Sequence, residues 1–254
     1  MKLVGRLVPL AEVTPRQRQE MYELMDRHYA DLHRSSFEAD LDEKQWVIQV
    51  FDPVCGKLCG FSTQMVIDAA LDNAFPAAAD GRRIKALFSG DTIIDRAYWG
   101  DPALTRIWGR LALSLIDSWP ECELYWFLIS QGFRTYRFLP VFFHEFYPGL
   151  EKPTPAWAQS VIDALGRHKF PGDYDAATGV IRANAHQYRL RQHVSEITPQ
   201  RLDDPHVRFF VELNPLHDRG DELCCIAPLT RENFRPAAWR VINAGATHAA
   251  LKVS

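Results

Sequence analysis

The segment Leu124 to Ser130 (LYWFLIS) is apolar at odd and even positions alike. A strand covered on one face alternates, and one that is apolar throughout is covered on both, so this segment predicts a central strand with helices above and below it. The residues just before it supply one of those helices. Asp101-Pro102 is a helix opening, with Asp as the cap and Pro just inside, and the pattern runs through Arg106, Ile107, Leu111 and Leu115 to Trp119-Pro120. Arg83 to Asp95 (RIKALFSGDTIID) reads as the strand before that helix, which gives a strand, helix, strand unit.

The flanking sequence extends the sheet. Lys2 to Leu10 alternates well enough for a strand, and Thr14-Pro15 opens a helix reaching about His33, whose stripe of Met21, Leu24, Met25, His28 and Tyr29 reads as a core face. Gln45 to Phe51 and Leu58 to Ile67 form a hairpin about the turn at 52–57, and an exposed loop is expected over 69–81. Beyond the central strand, a short aromatic helix is expected around Pro140 to Phe146. Lys152-Pro153-Thr154-Pro155 reads as a linker, followed by a helix near Trp157 to Arg167, a turn at Asp175 to Gly179, and strands at Val207 to Leu213 and Glu222 to Pro228. The expectation is an α+β chain with a mixed, mostly antiparallel sheet and helices on both faces. Residues 1–150 form its core and 151–254 a C-terminal extension packed on or completing it.

Composition narrows the function. The chain has 254 residues, is 47% hydrophobic and carries a formal net charge of −3, so it holds a sizeable core and no global positive field for nucleic acid. No apolar run is long enough to span a bilayer and the start does not resemble a signal peptide, which points to a cytoplasmic protein. The cysteine count of five is odd and includes the adjacent pair Cys224-Cys225, which favours reduced thiols. Cys55-x-x-x-Cys59 has no second spaced pair or paired histidines, so no metal site is expected. Nor is there a glycine-rich nucleotide loop.

Leu87 to Leu113 (LFSGDTIIDRAYWGDPALTRIWGRLAL) resembles the acyl-donor motif of the GNAT superfamily of N-acyltransferases, in which a strand ends in a hydrophobic-x-Pro-x-Tyr-Arg-Gly-x-Gly-x-Gly loop that opens a helix. Ile94, Tyr98 and Gly100 stand where the hydrophobic residue, the Tyr and the first Gly would stand. Arg96 replaces the Pro, Trp99 the Arg, and Pro102 and Leu104 the two later glycines. The element order over residues 1–150 is similar to that family's, with Leu124 to Phe146 resembling its next strand and helix.

The resemblance implies transfer of an acyl group from a pantetheine thioester, acyl-coenzyme A or an acyl carrier protein, to an amine, with no permanently bound cofactor. It implies that the main chain of Ile93, Ile94 and Asp95 pairs with the pantetheine arm like an added strand, the Ile94 amide serving the thioester carbonyl as oxyanion donor. Arg96, Trp99, Gly100 and Arg106 fall on the donor side. Asp91 is the candidate base for the amine, with Ser89 or Asp95 as helpers on the same strand face. Tyr136, or else Tyr147, is the candidate proton donor to the leaving thiolate. Pro102 and Asp101 weaken the helix start as a pyrophosphate site, so either Arg96, Arg106 or Arg110 supplies the missing positive charge or, the reading favoured slightly, the donor is a carrier protein with its single phosphate. The aromatic run Tyr125, Trp126, Phe127, Phe133, Phe138, Phe142, Phe143 and Phe146 suggests an apolar channel for a long acyl chain, or only core packing. The amine acceptor, an amino acid, small molecule or peptide, stays open. A non-catalytic acyl-binding module and a transferase built on Cys224 or Cys225 are the rival readings.

Overall fold

The computed structural model describes residues 2–68, 83–184 and 188–244, so the loop expected over 69–81 lies outside the described residues. Its middle layer is an eight-stranded sheet. In chain order the strands are β1 (Val4–Pro9), β3 (Trp46–Phe51), β4 (Leu58–Asp68), β5 (Arg83–Ile94), β6 (Cys122–Ser130), the short β7 (Tyr174–Asp175) and β8 (Val180–Ile181), and β10 (Glu222–Pro228). A separate two-stranded ribbon joins β2 (Tyr29–Ala30) to β9 (Arg189–Leu190). Across the sheet the order is β1-β3-β4-β5-β6-β10-β8-β7, and every neighbouring pair is antiparallel except β5 and β6. The mixed, mostly antiparallel sheet is the expected one.

β6 is central, as its apolar sequence requires. Leu124, Trp126 and Leu128 face a core shared with α3 (Ala103–Ser118), α8 (Pro205–Leu213) and α9 (Pro236–Asn243), beside the short α4 (Phe133–Tyr136) and α5 (Phe138–Phe142). Tyr125 and Phe127 face the opposite core, built on α6 (Ala156–Lys169). A third core on that same face holds α1 (Pro15–His28) and α2 (Arg34–Asp42) against β1, β3, β4 and the end of β5. Each fully buried Leu or Phe in these layers contributes about 2 kcal/mol of transfer free energy. On one face, then, the helical cover comes in two blocks. The ribbon and α7 (Gln192–Ser195) follow at the seam, with Leu190 and Val194 against the cavity described below.

Three elements differ from expectation. Residues 207–213 are helical, not a strand: Asp204 accepts the His206 amide at 2.9 Å, Pro205 occupies the first turn, and Val207 and Phe210 bury one face at helical spacing. The cap and proline outweigh the β propensity of Val and Phe. The first helix stops at His28, and after Asp31, whose φ is 63°, α2 begins anew. The aromatic segment coils earlier than expected, as two short helices over 133–142. No helix among the described residues is long and apolar enough to cross a membrane.

Candidate active site

The parallel ladder between β5 and β6 runs from Arg83 opposite Cys122 to Ser89 opposite Leu128 and ends there, although both strands continue. β6 goes on with β10, pairing Ile129 with Cys224 and Ser130 with Leu223. β5 goes on with β4, pairing Thr92 with Ser62, Ile93 with Phe61 and Ile94 with Gly60. A wedge opens between them. The Asp95 amide donates to the Cys59 carbonyl at 2.8 Å, which fixes the alternation: Asp95 and Ile93 direct their main-chain groups at β4, while Ile94 and Thr92 direct theirs into the wedge. Of the expected trio Ile93, Ile94 and Asp95, only Ile94 therefore turns its amide into the wedge, and Thr92, not singled out from sequence, turns in a second. The Ile94 carbonyl accepts from the Trp99 indole Nε1 at 3.0 Å.

Between Ser89 and Thr92 the register with β4 slips, so that Gly90 and Asp91 together oppose Thr63. This is a β-bulge. Gly90 is required at it, because a Cβ there would lie 2.6 Å from Thr63 Oγ1 and 2.9 Å from Lys44 Cε. The bulge also breaks the strand's alternation. Ser89 points into the α3 side, where its Oγ donates to Gln64 Oε1 at 2.8 Å and accepts from Trp126 and Trp108 Nε1 at 2.9 and 3.2 Å. Asp91 instead turns to the α1/α6 side, where Tyr188 donates to its Oδ1 at 2.7 Å. Ser89 and Asp91 thus lie on opposite faces of the sheet, which corrects their expected pairing.

A cavity of about 480 Å³ joins the wedge to the seam between the helix blocks. At its wedge end lie Ile94, Trp99, Gly100, Leu104, Thr135 and Phe138; at its inner end lie Tyr29, Asp40, Asp91, Tyr188 and Glu222, with Phe88 and Phe170 as apolar wall. Burial, then the neighbouring Asp40, pushes the Asp91 carboxyl up to about 7, against the pull of the Tyr188 hydroxyl, Lys44 and Lys169. Burial, then Asp91 and Asp40, pushes Glu222 up to about 8. Asp40 is paired at 2.6 Å with Lys44, whose side chain is wholly buried, and Lys169 is paired with Glu43. His28 also lines the cavity; burial holds its imidazole below the ordinary value, with Asp95 pulling up and Arg27 and His193 pressing down. At the mouth, the Arg134 guanidinium sits 4.3 Å from the Trp99 ring centre and that of Arg96 5.7 Å from it. Burial, then Arg201 and Arg96, lowers the Arg134 pKa, which marks a concentration of positive charge there.

The other expected residues do not come together with these. Tyr136 is wholly buried among Phe146, Phe209 and Phe210, and its hydroxyl donates to the Pro148 carbonyl at 3.1 Å; Tyr147 donates to Glu145 at 3.0 Å. Neither reaches the cavity. Asp95 accepts from the Ala97 amide at 3.2 Å, Asp101 caps Ala103 at 2.9 Å and holds the Leu3 amide at 3.0 Å, and Arg106 lies on α3 away from the cavity wall. Of the aromatic run, Phe138 lines the cavity, whereas Trp126, Phe127, Phe133 and Phe143 are buried core residues outside its lining. Burial raises the thiol pKa values of Cys224 and Cys225, which disfavours the thiolate and with it a cysteine nucleophile. Glu222 and Tyr188 carried no sequence signal: both sit more than ninety positions from Asp91, and only the tertiary fold brings them in.

No protein-family model and no curated protein sequence matches the chain. Among solved structures it is similar to a probable N-acyltransferase of unknown function from Enterococcus faecalis (14% identity, TM-score 0.38, over 56% of this chain and 33% of that one). It is similar to glucosamine-6-phosphate N-acetyltransferase from Arabidopsis thaliana (15%, TM-score 0.33, over 50% and 82%) and to a GNAT family N-acetyltransferase from Escherichia coli in complex with CoA (12%, TM-score 0.35, over 52% and 64%). The chain thus spans a third of the first of these and under two thirds of the last. Its own sheet has one parallel pair, β5 and β6, which parts where the bulged β5 leads towards α3.

Proposed function

We propose that the chain is an N-acyltransferase that moves an acyl group from a pantetheine thioester to an amine. The observation that carries this reading is the wedge between β5 and β6, with the Ile94 and Thr92 main chains facing it and Asp91 in the same cavity. The pantetheine arm adds to β5 as β6 would have done, and the Ile94 amide donates to the thioester oxygen as negative charge builds on it. The amine nitrogen bonds to the carbonyl carbon, the carbon–sulfur bond breaks with its electron pair leaving on sulfur, the proton lost by nitrogen passes to Asp91, and solvent carries that proton on to the thiolate. An acid held near 7 is matched to that work at neutral pH.

The donor phosphate is met by Arg134 and Arg96 beside Trp99, because α3 presents a capped start with Pro102 and Asp101 in place of glycines. One positive cluster suits one phosphate, which favours a carrier-protein donor over coenzyme A. The acyl group shares the 480 Å³ with the arm and the amine, so a short acyl group fits this reading better than a long one. Thiol release measured with one acyl group presented on coenzyme A and on a carrier protein, each with a panel of amines, tests both parts. Release with neither donor sinks the transferase and leaves a binding module; turnover of coenzyme A thioester alone sinks the carrier preference.

A further inference from the structure

The inner end of the cavity holds more acid than the transfer uses. Asp91 accepts from Tyr188, and Asp40 holds Lys44. The Glu222 carboxyl makes neither a hydrogen bond nor an ion pair among the described residues, and the residue lies on the cavity wall at the start of β10. Alternation along β10 explains its aim: Cys224 and Ile226 belong to the α6-side core and Leu223 and Cys225 to the other, so Glu222 shares the face to which the bulge turned Asp91. The positive side chains Lys44 and Lys169 act on Asp91, whereas the charges that bear most on Glu222 are those of Asp91 and Asp40. A carboxyl on this wall, beside two others and with no ion pair among the described residues, is costly as an anion unless a ligand brings the positive charge.

The walls say what kind of ligand. Tyr29 and Tyr188 meet edge to face at 5.2 Å, and Phe88 and Phe170 stand at 6.0 Å, so the space between Asp91 and Glu222 is lined with rings. Rings accept methylenes and favour an ammonium over their faces.

We propose that Glu222 is a specificity-determining residue, and that the acceptor is a diamine-type substrate, an aliphatic primary amine carrying a second cationic nitrogen. One amine sits at Asp91 under the wedge, and Glu222 pairs with the distal ammonium. This rests on the transferase reading for the role of the first amine, but binding of the second nitrogen is independent of turnover. Because Glu222 and Asp91 hold protons near neutral pH, a dication displaces them on binding, and affinity rises from pH 6 to pH 9. The titratable groups on this wall are Asp40, Asp91, Tyr29, Tyr188 and His28, and Lys44 and Lys169 act on Asp91 from beyond it.

Titration calorimetry with the full chain and no acyl donor tests it, using straight-chain α,ω-diamines of three to six carbons against the monoamine of equal length. The diamine is expected to bind roughly ten- to a hundredfold more tightly than the monoamine, the span of one charge-assisted contact. E222Q is expected to erase that preference by weakening the diamine far more than the monoamine. Equal affinity of wild type for the two amines, or no binding of either, overturns the proposal without reference to any variant. Equal weakening of both amines in a folded E222Q also overturns it. Acyl transfer to the monoamine reports separately on the transferase reading and survives failure of this one.

Discussion

Tyr188 hydrogen-bonds Asp91 across 2.7 Å from a segment 97 positions further along the chain. That contact ties the second half of the chain to the bulge in β5, and with it a group that only tertiary structure could supply acts on the basicity of Asp91. Burial and Asp40 raise the carboxyl while the Tyr188 hydroxyl lowers it. The resulting value of about 7 is a balance that substitutions can tip either way.

Turnover is expected to rise with pH through an inflection near 7, since Asp91 takes a proton only when ionised. Stability runs in the opposite direction. Asp91 is raised above its unfolded value of about 3.9, so the folded chain keeps a proton that the unfolded chain has lost, and stability drops as pH rises from about 4 through 7. Asp91→Asn is expected to cost roughly 10²- to 10⁴-fold in kcat and to flatten this part of the stability curve. Chemical denaturation from pH 5 to 8 alongside the pH–rate profile measures both, and an unchanged rate in this variant would remove Asp91 as the base.

Tyr188→Phe deletes the one hydrogen bond that lowers the Asp91 pKa. The kinetic inflection should therefore move upward, by about one pH unit if the bond is worth about 1.4 kcal/mol. At pH 7 the rate falls several-fold, and at pH 9 it returns towards wild type. A rate lost equally at every pH would mean that Tyr188 shapes the cavity and does not tune the base.

Ser89→Ala separates a structural role from a catalytic one. Its Oγ satisfies the Trp108 and Trp126 indoles and bonds Gln64, all in the buried α3-side core. Two N–H groups left unpaired should cost about 2–4 kcal/mol in urea denaturation. Turnover per folded molecule should stay within twofold of wild type. A large kcat loss with unchanged stability would restore Ser89 as a helper of Asp91.

The sheet was legible because its signals are local. LYWFLIS announces a doubly covered strand, and Thr14-Pro15 and the turn at 52–57 place a helix and a hairpin where the structure has them. Asp204-Pro205 is an equally local signal that the β-rich look of VRFFVEL obscured. The donor strand was legible for the same reason, yet its faces were not. Strict alternation puts Ser89 with Asp91, and the one-residue slip against Thr63 that separates them depends on β4, on Lys44 and on a glycine whose need is visible only when the neighbours are in place. The proton donor assigned to Tyr136 failed likewise, because an aromatic on a short helix points wherever the nearest core lies, and here that core is α8.

Gly90→Ala tests the bulge itself. The added methyl meets Thr63 Oγ1 at 2.6 Å and Lys44 Cε at 2.9 Å, closer than carbon contacts allow, and the Lys44 side chain is pinned by Asp40. Thr63 sits fully buried in β4, so the adjustment falls on β5. Relief requires that the bulge flatten or shift, and either move carries Asp91 away from Tyr188 and from the wedge below Ile94. The expected outcome is a loss of about 1–3 kcal/mol in stability together with a rate loss approaching that of Asp91→Asn. Donor binding should persist, because the Ile94 and Thr92 amides lie beyond the slip. A variant that retains full turnover while losing stability would show that the bulge matters to packing alone and that the orientation of Asp91 is set by something else.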